Sequence, residues 1–173
     1  MSKTKKYHHG NIREVVLELV RNLLRDGKTQ SLSVRNISNE LGVSRTATYH
    51  HFKNMHDLIT AACHEEIEAY SLRLELHLNQ NTAFDQVMKV AASNAVELRY
   101  FFKFLFGVSD VDVIRATTKS LTRQWGRLMG LESEKQSFAS VMAFHLSVAI
   151  NPDNVDFYID QHTILKRAVS QSI

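Results

Sequence analysis

The sequence predicts an all-α protein of about nine helices. Three observations carry that expectation. Pro152 is the one proline among 173 residues and glycine occurs six times, so long stretches run without a breaker. Apolar residues recur at three- and four-residue spacing along most of the chain. No convincing strand pattern interrupts them.

The first helix is expected from about residue 11 to 26, on Ile12, Val15, Val16, Leu19, Val20, Leu23 and Leu24. Asp26-Gly27 ends it, glycine suiting a left-handed cap. After a short loop, Ser33 sits where an N-cap belongs, ahead of Val34, Ile37 and Leu41. Gly42 closes this second helix, and Ser44 caps a third running to about His51. Asn54 caps a long fourth helix that ends in Asn79-Gln80-Asn81. Thr82 or Ala83 opens a segment leading into the aromatic run Tyr100 to Phe106, which Gly107 closes. Asp110 or Asp112 caps the next helix, to about Gly130. Ser133 caps another, ending before Asn151-Pro152, and Asp153 or Asn154 opens the last.

Charge is unevenly spread. Residues 1–53 hold ten Lys/Arg against four Asp/Glu, while residues 54–173 hold eleven against fourteen. A basic head on a slightly acidic body points to a polyanion partner for the head, or more simply to an uneven solvated surface. Lys3, Lys5 and Lys6 read equally as a solubilising arm or as one that follows a groove or phosphate backbone. The lone Cys63 fits no disulfide framework and suits a reducing compartment. With neither a signal-peptide pattern nor a membrane-length apolar run, the expected setting is cytoplasmic.

Function concentrates in residues 33–53. A short helix, a tight turn at Gly42 and a second short helix make a helix-turn-helix. Ile37 and Leu41 face inward, and Ser38 is small where the helices approach. Gly42 turns the backbone where a side chain would clash, and Val43 plugs the angle. The third helix offers Arg45, Thr46, Thr48 and His50 with few apolar side chains to bury. That suits a groove better than a core.

Ser33-Val34-Arg35-Asn36-Ile37-Ser38-Asn39-Glu40-Leu41-Gly42-Val43-Ser44-Arg45-Thr46-Ala47-Thr48-Tyr49-His50-His51-Phe52 resembles the tetracycline-repressor (TetR/AcrR) family of transcriptional regulators. The turn glycine, Tyr49, His51, Phe52 and Leu58 fall in register, and Tyr7-His8-His9-Gly10-Asn11-Ile12-Arg13 matches the lead-in of many members. The resemblance covers about residues 8–75. It implies an N-terminal DNA-binding domain, residues 1–54, and a helical effector-binding and dimerisation domain, residues 55–173.

The same resemblance assigns roles. Arg45 is placed to pair with guanine, and Arg35 to reach a base from the preceding helix. Thr46 and Ala47 meet a thymine methyl or a phosphate, and Tyr49 and His51 bond phosphate with Lys53 beside them. Ser44 and His50 complete the expected DNA-binding set. Two residues depart from the family pattern. Thr48 stands where an inward leucine is usual, and Met55 where many members carry lysine.

The implied partners are a double-stranded operator, a second copy of the chain and an apolar or amphipathic small molecule. Repressor is the expected sign. Activator is the alternative, as is a helical interaction module that has lost DNA binding. Loose candidates for the effector pocket are Tyr100, Phe104, Trp125, Met129 and Met142. The last two helices carry stripes of Phe138, Val141, Met142, His145, Leu146, then Tyr158, His162, Leu165 and Val169. These are expected at a two-fold interface, or else facing the chain's own core.

No enzyme, cofactor or metal site is expected. The sequence lacks a Gly-rich phosphate loop, Gly-x-Ser-x-Gly, Cys-x-x-Cys and His-Glu-x-x-His. His56, Cys63 and His64 do not share a ligand spacing, and Glu65 and Glu66 should hold the Cys63 thiol protonated.

Overall fold

A computed structural model describes residues 11–171. The Lys3, Lys5 and Lys6 arm and the Tyr7 to Gly10 lead-in lie outside them. Among the described residues there are nine α-helices and no strand. They are α1 (Ile12–Arg25), α2 (Val34–Leu41), α3 (Arg45–His51), α4 (Met55–Asn79), α5 (Phe84–Glu97), α6 (Arg99–Phe106), α7 (Val111–Met129), α8 (Glu134–Ile150) and α9 (Val155–Gln171).

Side-chain caps set most of these starts. Ser33 Oγ accepts from Asn36 N at 3.1 Å and Ser44 Oγ from Ala47 N at 3.0 Å. Asn54 Oδ1 accepts from Asp57 N at 2.8 Å, and Asp57 reaches back to Lys53 N at 3.2 Å. Asp110 accepts from Asp112 N and Val113 N, and Ser133 from Gln136 N. Each hydroxyl or carboxylate satisfies an N–H that the helix leaves without a partner. The segment after Ala83 breaks at Leu98, so the aromatic run forms its own short helix, α6.

The chain divides into two compact units at Ala62/Cys63, eight residues inside α4. In the first unit α1, α2 and α3 pack on one another. Val16, Leu17, Val20, Leu24 and Ile37 are fully buried there; Leu17 completes the α1 face that the sequence spacing left out. Gly42 adopts φ +66°, and a Cβ there would meet nothing within 4 Å. The turn therefore needs glycine for its left-handed backbone, not to avoid a clash.

In the second unit α8 is the central helix, packed against α5, α6, α7 and α9. His145 lies at its middle, fully buried, with the rings of Phe102, Trp125, Phe144 and Tyr70 around it at 4.5–5.5 Å. His145 Nδ1 lies 2.8 Å from the Val141 carbonyl and so carries the hydrogen. That leaves Nε2 as an acceptor 3.1 Å from the Tyr70 hydroxyl, whose one hydrogen faces both this nitrogen and the Ala91 carbonyl at 3.4 Å. Desolvation lowers the His145 pKa to about 3, against the smaller opposing effect of the Val141 hydrogen bond. Half-buried His162 is shifted down for the same reason.

These positions correct part of the stripe expected at an interface. Val141 and His145 point into the chain's own core and have no surface to offer a partner. Leu146 and Leu165 are exposed, while Phe138, Met142, Tyr158, His162 and Val169 are half-buried. No helix of the described residues is long and apolar enough to cross a membrane.

Candidate nucleic-acid interface

The α2–α3 turn divides polar from buried positions within one short stretch. Arg35, Ser44, Arg45, Thr46, Tyr49, His50, His51 and Lys53 are exposed, and Ala47 is half-buried. Every residue expected to meet DNA thus lies at or near the surface of the first unit, within α2, α3 and the turns that flank α3. Ser44 is committed first to capping α3, so its hydroxyl fixes the backbone that presents Arg45 and Thr46. Tyr49 leaves 52% of its surface to solvent, a large exposure for an aromatic ring.

Thr48 turns the other way. It is buried, and its Oγ1 shares a hydrogen bond of 3.0 Å with Ser38 Oγ on α2. The pair explains why threonine is tolerated where a leucine is usual: the small Ser38 makes room, and each hydroxyl satisfies the other. Thr48 is therefore a matched core residue and does not argue against a working head. Its signal was present in the sequence as the small residue at 38, yet pairing it with 48 required the helix crossing.

Below α3, Phe52 is buried and the Arg13 guanidinium lies over its ring, 5.8 Å from the centroid. This contact joins α1 to the end of α3. Met55 sits half-buried in the first turn of α4 and offers no cation for a phosphate.

The expected effector residues do not gather around an opening. Trp125 and Met129 are fully buried, and Trp125 Nε1 donates to Ser140 Oγ at 2.9 Å. They are core residues, and neither lines the openings described below. Tyr100, Phe104 and Met142 are half-buried, with Arg99 and Lys103 over the Tyr100 ring at 4.7 and 5.4 Å. An opening of about 590 Å³ in the second unit lies between α7 and α8 and is lined by none of these five. Aromatic content marks the core here: Trp125, Phe101, Phe102 and Phe144 are among its largest buried side chains.

Among the described residues no cluster of His, Cys, Asp and Glu could hold a metal ion. Cys63 is buried, donates to the Phe101 carbonyl at 3.7 Å, and has its pKa raised by desolvation first and by Glu66 second.

Residues 16–62 match the family model for bacterial regulatory proteins of the tetR family. No curated protein matches the sequence. Solved structures share the fold at low identity. The fatty acid degradation regulator FadR from Bacillus halodurans aligns with a TM-score of 0.63 and 12% identity, over 92% of this chain and 97% of its own. FadR from Bacillus subtilis, solved in complex with stearoyl-CoA, gives 0.61 and 12%, over 92% and 98%. A TerR/AcrR-family transcriptional regulator from Aquifex aeolicus VF5 gives 0.55 and 17%, over 93% and 99%. The head, residues 16–62, thus matches the tetR family of bacterial regulatory proteins in sequence, and nearly the whole chain shares its fold with the regulators named above.

Proposed function

We propose that the protein is a sequence-specific DNA-binding repressor that acts as a homodimer on a palindromic operator and answers a small molecule. The observation that carries this reading is the sorting within α3. Arg45, Thr46, Tyr49 and His50 face solvent while Thr48 alone is buried. A seven-residue helix so lightly anchored in its own core, yet capped and held by α1 and α2, suits insertion into a major groove. The surplus of positive charge in residues 1–53 supplies the phosphate attraction. A protein working on DNA in this way belongs in the cytoplasm.

Dimerisation is supported by what α8 and α9 leave uncovered. Leu146 and Ile150 on α8, and Phe157, Ile164 and Leu165 on α9, are exposed at 37–67%. Ala143 lies on the same face of α8. Five large apolar side chains on two neighbouring helices are costly in water and suit a two-fold pairing of the same surface. Two heads of one dimer would meet successive major grooves about 34–36 Å apart.

The test is selection of an operator from random DNA, followed by binding across a salt series. Two half-sites one helical turn apart, bound with a steep salt dependence, are expected. Binding with no sequence preference at any salt would defeat the reading and favour an interaction module. Transcription from a promoter carrying the selected site would separate repressor from activator.

A further inference from the structure

The groove between α7 and α8 carries features that packing does not require. Arg115, Lys119, Arg123 and Arg127 follow one another at four-residue spacing, so α7 presents a stripe of four cations. Like charges at that spacing weaken a helix, and the fold gains nothing by aligning them. Arg127 is engaged, donating to Gln124 Oε1 and to Asn79 Oδ1, each at 2.8 Å. Arg115 lies over the Phe138 ring, 5.5 Å from its centroid. Lys119 and Arg123 make no hydrogen bond or ion pair within the described residues, and both line the groove.

Thr122 lies between them in sequence and lines both the main opening and an adjoining lobe of about 350 Å³. It is 95% buried, yet its Oγ1 has no hydrogen-bond partner. One turn earlier on the same helix, Thr118 Oγ1 donates to the Ile114 carbonyl at 2.9 Å, as a helix allows; of the two buried threonine hydroxyls left without a partner among the described residues, Thr60 and Thr122, only Thr122 lines this groove. A buried hydroxyl without a partner is costly and is met in native proteins where a ligand or ion completes the site. Gly126, Gly130 and Leu131 also line the groove, Leu131 making part of it apolar, and Phe138 lines the adjoining lobe. Glu132 and Glu134 stand on the rim. Their negative charge disfavours a long polyanion and restricts the occupant to a small one.

We propose that this groove binds a small organic phosphate, its phosphate held by Lys119 and Arg123 and by a hydrogen bond from Thr122 Oγ1, its apolar body along Leu131 or toward Phe138. A volume of about 590 Å³ suits such a molecule. The site gives chemistry to the effector of the proposed function and rests on that reading only for its regulatory consequence. Binding is measured on the full chain without DNA, so its failure leaves the DNA-binding reading untouched.

The experiment is calorimetric titration with phenyl phosphate, with inorganic phosphate and benzyl alcohol as separate arms. Saturable binding of phenyl phosphate is expected, weaker for inorganic phosphate and absent for benzyl alcohol. Lys119→Gln and Arg123→Gln should each weaken binding by about tenfold, since each removes a charge-assisted hydrogen bond. Thr122→Val should weaken it by about threefold while leaving the unliganded melting temperature level or higher, because it deletes an unpartnered hydroxyl. The proposal is overturned if phenyl phosphate does not bind, if binding ignores the Lys119 and Arg123 substitutions, or if benzyl alcohol binds equally well. A Thr122→Val variant that melts earlier and binds normally would remove Thr122 from the site. All three positions can be checked for folding by circular dichroism, and two of them are exposed side chains whose replacement disturbs no core.

Discussion

Arg45 and Lys53 are both exposed and both positive, but they stand at opposite ends of α3. Arg45 is the first residue of the helix, where a side chain can reach base edges and form a bidentate pair with guanine contributing about 1–3 kcal/mol of discrimination. Arg45→Ala should relax preference at one base position of each half-site and leave non-specific affinity largely intact. Lys53→Ala should weaken every sequence about equally and reduce the salt slope by about one unit per head. Anisotropy titrations on the operator and its single-base variants would show both signatures. A uniform loss for Arg45→Ala would put another residue in the groove. His145 gives a different kind of test. Its folded pKa lies below the ordinary histidine value, so the unfolded chain takes up the proton first. Its contribution to stability is complete above about pH 6.5 and is lost progressively as pH falls toward 3. His145→Gln should flatten that acid slope in thermal melts, whatever it costs at neutral pH. An unchanged slope would assign the acid sensitivity to other groups. The interface expected from sequence had placed this ring between two chains; burial makes acid act on the fold of each.

Among the elements, α2 and α3 are joined by the hydroxyl pair of Ser38 and Thr48. Removing one partner leaves the other buried without a bond, at about 1–3 kcal/mol, while replacing both by apolar groups is close to neutral. Ser38→Ala and Thr48→Val should therefore each destabilise the head more than the double variant does, a coupling that chemical denaturation can measure. Additive losses would mean that the pair is not coupled. The helix starts were legible in the sequence because a cap is a local event: Ser33, Ser44, Asn54, Asp110 and Ser133 each bond an N–H two or three residues onward. The Ser38–Thr48 pair spans ten residues and depends on how two helices cross, so residue type alone read Thr48 as a departure. The break at Leu98 was likewise invisible, since no proline or glycine marks it.

For the molecule as a whole, the uncovered face of α8 and α9 makes self-association the expected state. Leu146→Glu would place an unpaired carboxylate in that face and should yield a folded monomer in analytical ultracentrifugation. Ala143→Glu, on the same face of α8, should do the same. A dimer that survives both would move the interface elsewhere. The two stripes on these helices were correctly apolar in sequence, yet periodicity does not say which side of a helix meets its own chain. α8 resolves this by being covered on several sides by α5, α6, α7 and α9. Only the strip through Leu146 and Ile150 remains. The proposed effector groove was least legible. Lys119, Thr122, Arg123 and two glycines line it, none of which stands out by composition.

Gly126 sets how closely α7 and α8 approach. A Cβ at this position would lie 2.6 Å from Ser137 Oγ and 3.3 Å from the Leu131 carbonyl. Ser137 has little freedom to withdraw, because its hydroxyl is tied to the Ser133 carbonyl at 3.0 Å. α7 and α8 thus approach backbone to side chain at this point, with no room for a methyl group between them. A close fit of this kind resists sliding of one helix along the other, so a response to the proposed effector is expected to move α7 and α8 together. Gly126→Ala should crowd that fit, lowering the melting temperature through about 1–3 kcal/mol of overpacking, and a melt at the wild-type temperature would show that the fit has slack.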